Sequence, residues 1–257
     1  MRPPRFHPAT PGADSSEGRA ADSLPPYTVR TSARARRVQL RVLPHGVVEA
    51  VVPRGFDPVV LEAFVQRHRD WLARRLARIE EQRQRRPDLF EAPPSRIRLA
   101  ALGCAWDVDY EWTDANARVC AGPRAGDRLG VRAADADSAC AALQRWLSGQ
   151  AKTHLVPWLR RTGEELGLCV NRVTVRAQKS RWGSCSAQRN ISLNRNLLFL
   201  PPEGVRYLFV HELCHTVHMN HSRRFWALVA RLHPDFEREE ALLRRAHDYV
   251  PLWALPG

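Results

Sequence analysis

His211-Glu212-Leu213-Cys214-His215-Thr216-Val217-His218-Met219-Asn220-His221 is the stretch that decides how this chain is read. Just upstream, Leu200-Pro201-Pro202-Glu203 makes a natural helix start, with proline and a carboxylate in the first turn. From Val205 to Val217 the residues are apolar on nearly every side, which predicts a buried helix. Four residues apart on it, His211 and His215 project from one face, about 40° apart and roughly 6 Å along the axis. Two imidazoles so placed can share a metal ion, and neighbouring Glu212 can reach water bound to that metal. The pattern predicts one Zn2+ per chain, with Glu212 as the catalytic base of a peptidase.

A tetrahedral catalytic zinc takes a third protein ligand and leaves its fourth position to water. On an unbroken helix His221 would sit roughly 15 Å along the axis from His211, too far to share the ion. The helix is therefore expected to end first, and Asn220 tolerates the left-handed conformation used at helix ends. A turn there swings His221 back toward the metal. His218 shares the helix face without a break, but its backbone lies roughly 10 Å from that of His211. His221 is the favoured third ligand; His218 and a glutamate of the last helix (Glu237, Glu239 or Glu240) stay open as alternatives.

Upstream, Ile191 and Leu193 alternate with polar residues as in an exposed strand. Such an edge can align a peptide substrate by backbone pairing. Asn194 and Asn196 are placed to orient that peptide, or else to cap the strand. Lys179 and Arg181 are candidates for stabilising the oxyanion formed when water attacks a carbonyl. Trp182 is a candidate pocket wall, with plain core packing as the competing reading. Ser184 and Cys185 invite a nucleophile assignment that the complete metal motif makes unnecessary. After His221, Ser222 is a good helix cap, and Phe225, Trp226, Val229 and Leu232 are spaced to pack a helix against the metal-bearing one.

The rest of the chain supplies a framework. Val38, Leu40 and Val42, a turn at His45-Gly46, and apolar Val47–Val52 predict a β-hairpin. Asp57-Pro58 opens a helix whose stripe of Val60, Leu61, Phe64, Trp71, Leu72 and Leu76 runs to about Arg85. Short strands are expected over 96–132, punctuated by Gly103, Gly122, Gly126 and Gly130. A long helix over Asp137–Leu166 should kink or break near Pro157, and Val173 and Val175 mark another strand.

Residues 1–26, rich in proline and poor in large apolar groups, are expected to form a disordered tail. They contain no hydrophobic signal core, and no apolar run is long enough to span a membrane, so a cytoplasmic location and no membrane partner are expected. The six scattered cysteines read as free, mostly buried thiols. A hydrophobic fraction of 44% argues against disorder of the whole chain. The net charge of +13 favours acidic partners, nucleic acid among them, although a lysine count of two suggests that coding bias contributes.

His-Glu-x-x-His with a third histidine six residues on resembles the metzincin zinc endopeptidases, which carry glycine where this chain has His218. A longer resemblance is to the YgjP-like metallopeptidase family, related to the SprT-like proteins. It is carried by Lys179-Ser180-Arg181-Trp182-Gly183-Ser184-Cys185-Ser186, by Ile191-Ser192-Leu193-Asn194, by the His-Glu helix, and by Asn220-His221-Ser222 with Phe225-Trp226. It extends from about Tyr27 to His247. The resemblance implies an α+β fold with a zincin-like metallopeptidase core, an N-terminal β-rich region and long connecting helices. Residues 27–250 form the metallopeptidase domain on this reading, β-rich over 27–136 and zincin-like over 137–250. The expected substrate is a peptide or protein. A DNA-associated, SprT-like protease and a non-enzymatic module with structural zinc are the alternatives.

Overall fold

The computed structural model describes residues 24–114, 116–121, 128–179 and 181–255. The proline-rich segment up to residue 23, the turns expected at Gly122 and Gly126, and Ser180 of the Lys179–Ser186 motif lie outside the described residues. The chain divides into two compact units, one ending at Ala77 and one from Arg78 onward. The strands read as part of the β-rich segment 27–136 are shared between them.

The first unit opens with β1 (Tyr27–Thr31), β2 (Gln39–Val42) and β3 (Val48–Val52). The hairpin expected at His45-Gly46 forms: Leu43 N donates to Val47 O at 2.8 Å, and Gly46 takes a φ of 91°, a region open to glycine. β2 pairs antiparallel with β3, and β1 adds to the other side of β3 in parallel, a strand the sequence pattern did not disclose. α1 (Pro58–Arg67) starts where expected, Asp57 accepting from Val59 N at 2.9 Å. The helix does not run on to Arg85. It breaks at His68, whose Nδ1 donates to Phe64 O at 2.8 Å, and α2 (Arg69–Arg85) follows. The break re-aims the apolar stripe, so Leu61, Val65 and Leu72 join Val48, Ala50 and Val52 in the core, while Val60 and Trp71 face solvent.

In the second unit, β4 (Arg96–Leu99), β5 (Cys104–Trp112), β6 (Arg118–Ala121) and β7 (Arg128–Ala133) form a sheet of order β4-β5-β7-β6, with β5 and β7 parallel. α3 (Ala136–Leu166) begins in a reciprocal cap: Ser138 N donates to Asp135 Oδ1 at 2.7 Å and Asp135 N to Ser138 Oγ at 3.1 Å. It continues through Pro157 without the expected break and stops at Gly167, which has a φ of 66°. Ala139, Leu143, Leu147, Ala151, Leu155 and Leu159 are fully buried along it. Steps of four residues advance about 40° each, so this buried ladder winds around the helix. Accordingly α3 packs on β6 and β7 and also on β8 (Arg172–Arg176), introduced next in the chain.

β9 (Gly183–Cys185) and β10 (Asn190–Asn194) complete a second sheet, of order β8-β10-β9. Here the structure corrects the sequence reading: β10 is the central strand, with Ile191 and Leu193 buried, and β9 is an edge. α4 (Pro202–Cys214) follows. It is apolar all round because Val205, Leu208, Phe209 and Leu213 enter the main core while Tyr207, Val210 and Cys214 pack on Phe225 and Val229. Those two belong to α5 (Arg223–Leu232), and α6 (Phe236–Arg244) comes last. The fold is mixed α+β.

No helix among the described residues is long and apolar enough to cross a membrane. The cysteines whose side chains are described are free thiols, but Cys104 and Cys169 are exposed, against the expectation of burial.

Candidate metal centre

α4 ends at Cys214, six residues before the Asn220 turn expected from sequence. Its last carbonyls are taken locally: Leu213 O accepts from Thr216 N at 2.9 Å and from Thr216 Oγ1 at 2.7 Å, and Cys214 O accepts from His218 N at 2.9 Å. The threonine hydroxyl competes for a carbonyl that another turn of helix would use. His215 is consequently the cap residue, at φ −65° and ψ −17°, and Val217, expected inside the buried helix, is exposed. Apart from glycines, Arg189 alone among the described residues has positive φ, so the chain returns without a left-handed Asn220.

That return brings His221 to His211 and His215. One ring nitrogen from each lies within 4.8 Å of the others, and Nε2 of His211 is 3.1 Å from Nε2 of His221. His218 is not part of this group; its carbonyl accepts a 3.0 Å hydrogen bond from His215 Nδ1. A carbonyl only accepts, so the His215 proton sits on Nδ1 and Nε2 keeps its lone pair. The alternative glutamates lie elsewhere. Glu239 is buried against His233 at 3.7 Å, Glu240 pairs with Arg244 at 3.0 Å, and Glu237 is exposed.

Phe225 packs against all three imidazoles, with centroid distances of 5.0 Å to His211, 4.5 Å to His215 and 4.9 Å to His221. Ser222 starts α5, accepting from Phe225 N at 3.4 Å, and so sets where that ring enters. Trp226 stacks on His221 at 5.8 Å.

Burial and the two neighbouring imidazoles push His211 down to about 4, and burial also lowers His215. Near neutral pH these rings are uncharged bases with lone pairs to give, the state a cation requires. Glu212 is 4% exposed, its Oε2 has no hydrogen-bond partner, and burial pushes its carboxyl up to about 8. A cation beside it would favour the carboxylate and oppose that push. Three imidazoles around one point, with a buried carboxyl oxygen that has no hydrogen-bond partner next to them, fit a divalent metal ion.

Gly183 is the site residue that sequence reasoning missed. A Cβ there would lie 2.5 Å from Glu212 Oε1 and 2.8 Å from its Cδ and Cγ, so only glycine lets β9 pass this close to the carboxyl. The available signal was a glycine inside a strand, which often marks a close backbone approach.

The structure separates the remaining candidates. Asn194 is buried and its amide is committed: Nδ2 donates to Gln178 O at 2.8 Å and Arg181 O at 2.9 Å, while Oδ1 accepts from Asn196 N at 3.1 Å. It ties down the backbone at Gln178 and Arg181 and offers no free group to a peptide; Asn196 is buried too. Trp182 is half-buried on the main core, its ring 4.9 Å from that of His247. Lys179 and Arg181 are exposed on the loop that Asn194 ties down. Burial, with a smaller contribution from the charge of Glu212, pushes the Cys185 thiol up to about 11, which disfavours it as a nucleophile.

Among solved structures, the chain is similar to the metallopeptidase zymogen abylysin of Pyrococcus abyssi, at 23% identity over 38% of this chain and 99% of that one, with a TM-score of 0.34. No curated protein matches the chain. The family model described as YgjP-like, metallopeptidase domain, matches residues 36–246, most of the sequence, and the chain belongs to that family.

Proposed function

We propose that this metallopeptidase is zinc-dependent and hydrolyses peptide bonds, with His211, His215 and His221 holding one ion and Glu212 as the general base. The observation that carries the reading is the convergence of three histidine nitrogens beside a buried, unpartnered Glu212 oxygen. Bound zinc supplies Lewis acidity, acidifying water and polarising a carbonyl. Glu212 accepts the proton of the attacking water and returns it to the leaving amine. The 3.0 Å bond from His215 to His218 O keeps one ring in the tautomer and orientation that coordination needs.

Substrate is best accommodated along β9, the edge strand whose Gly183 lies against Glu212, by backbone pairing. Lys179 and Arg181, on the loop leading into β9, are the proposed recipients of the oxyanion charge. A structural zinc with a closed shell is disfavoured, because no fourth histidine, cysteine or carboxylate joins the group among the described residues. A cytoplasmic location belongs to the same proposal, supported by the free thiols.

The test is digestion of a broad peptide library by zinc-loaded protein beside its Glu212→Gln variant, with metal content measured on both. Cleavage by the parent alone, at equal zinc content, is expected. Cleavage by both would overturn the role of Glu212, and loss of zinc from neither His211→Ala nor His215→Ala would overturn the metal site.

A further inference from the structure

We propose that an arginine-lined groove between the end of α2 and α6, bordered by none of the three histidines, binds single-stranded nucleic acid through its phosphates. The groove opens as a hollow of about 530 Å³ bordered by Arg78, Arg85, Arg86, Arg238 and Arg245. A second hollow of about 210 Å³, bordered by Arg86, Arg96 and Arg98, adjoins it, because Arg86 and Tyr249 line both.

Counter-charges are fewer. Glu81 pairs with Arg85 at 2.6 Å, Asp88 with Arg86 at 2.9 Å, Arg96 approaches Asp107 at 3.7 Å, and Asp248 is divided between Arg78 at 3.3 Å and Arg245 at 3.6 Å. Arg98 and Arg238 make no ion pair among the described residues. The concavity therefore carries surplus positive charge on guanidinium groups, whose planar forks match phosphate oxygens.

Three features choose a nucleic-acid strand over other anions. The basic surface is concave and continuous across two hollows, which suits a flexible strand better than a flat lipid surface. Its cations recur along the groove, as phosphates do along a backbone. An aromatic ring, Tyr249, stands where the hollows meet, and single-strand grooves combine backbone-tracking cations with aromatic faces for bases. The overall charge of +13 adds attraction at a distance.

Because any protein this basic attracts polyanions, the test must separate the groove from net charge. Binding of labelled oligothymidylate and oligouridylate to the full chain is followed by fluorescence anisotropy as salt rises. The variant Arg98→Glu/Arg238→Glu is compared with Arg36→Glu/Arg37→Glu in the first unit, which lowers the net charge equally. Losing two phosphate contacts reduces the salt slope by about 1.4, which is about tenfold in affinity near 0.15 M salt. That loss is expected for the groove variant and not for the control, with cleavage of a peptide substrate unchanged in both. Equal weakening of the two variants, displacement of the oligonucleotide by polyglutamate as readily as by unlabelled strand, or no binding at low salt would overturn the proposal. Arg98→Gln/Arg238→Gln, milder in charge, must show a smaller loss of the same kind. Preference between the two oligonucleotides tells DNA from RNA.

Discussion

Gly183→Ala places a methyl group where β9 meets the carboxyl of Glu212. The new Cβ would lie 2.5–2.8 Å from three atoms of that side chain, whereas ordinary contact begins at 3.4 Å. Relief requires a displacement of roughly 0.6–0.9 Å. Glu212 is buried on α4 with core residues on either side, so the side chain absorbs most of that displacement. A catalytic group misplaced by about 1 Å loses on the order of 100-fold in rate. Crowding of this kind also costs about 1–3 kcal/mol of stability.

The assay is kcat/KM on a peptide identified from the library, with zinc content and urea unfolding measured in parallel. The expected result is a fall of about two orders of magnitude with zinc retained. Adding Glu212→Ala, which removes all three contacting atoms, should restore stability but not activity, a non-additivity that ties the effect to this contact. Activity within about twofold of the parent, zinc still bound, would refute the claim that Glu212 must sit where β9 now holds it.

Asn194→Ala removes an amide that serves Gln178 O, Arg181 O and Asn196 N, and should cost about 1–3 kcal/mol in urea unfolding; a loss below about 0.5 kcal/mol would contradict its organising role. Phe225→Ala opens a cavity under the three imidazoles and should cost about 3–5 kcal/mol. Zinc affinity in a chelator titration should fall with it, roughly 10-fold or more, and unchanged affinity would reduce the ring to packing alone. Thiol alkylation should be site-selective. The thiolate is the reactive form, so burial that pushes Cys185 and Cys214 up to about 11 keeps both protonated near neutral pH, and their labelling should rise only as pH approaches that value. Exposed Cys104 and Cys169 should label first in peptide mapping by mass spectrometry; equal rates at Cys185 would refute this.

What the sequence disclosed was local. Gly46 closes its hairpin, Asp57-Pro58 starts its helix, and the spacing of His211, Glu212 and His215 follows from helix geometry alone. What it hid depends on partners distant in the chain. Alternation at Ile191 and Leu193 shows that one face is buried, but not that β8 and β9 flank the strand on both sides. Asn194 looks available until the carbonyls of Gln178 and Arg181 take its amide, and Gly183 acquires its importance only from Glu212 opposite. The early end of α4 is intermediate: Thr216 was a local signal, yet a single hydroxyl competing for Leu213 O is easily outweighed by the apolar run around it. The break at His68 likewise lacks a glycine or proline to announce it and rests on one side-chain bond to Phe64 O.

The winding ladder of α3 has a consequence for how such a chain can vary. Its rungs serve both the four-stranded sheet and the sheet that carries Gly183 from one winding rod. Inserting or deleting a single residue between them would turn everything downstream by about 100° and slide it about 1.5 Å. The later leucines would then point away from their partners. Substitution can retune this helix, but its length behaves as a fixed gear ratio between the two sheets, and insertions should accumulate in the loops on either side of it.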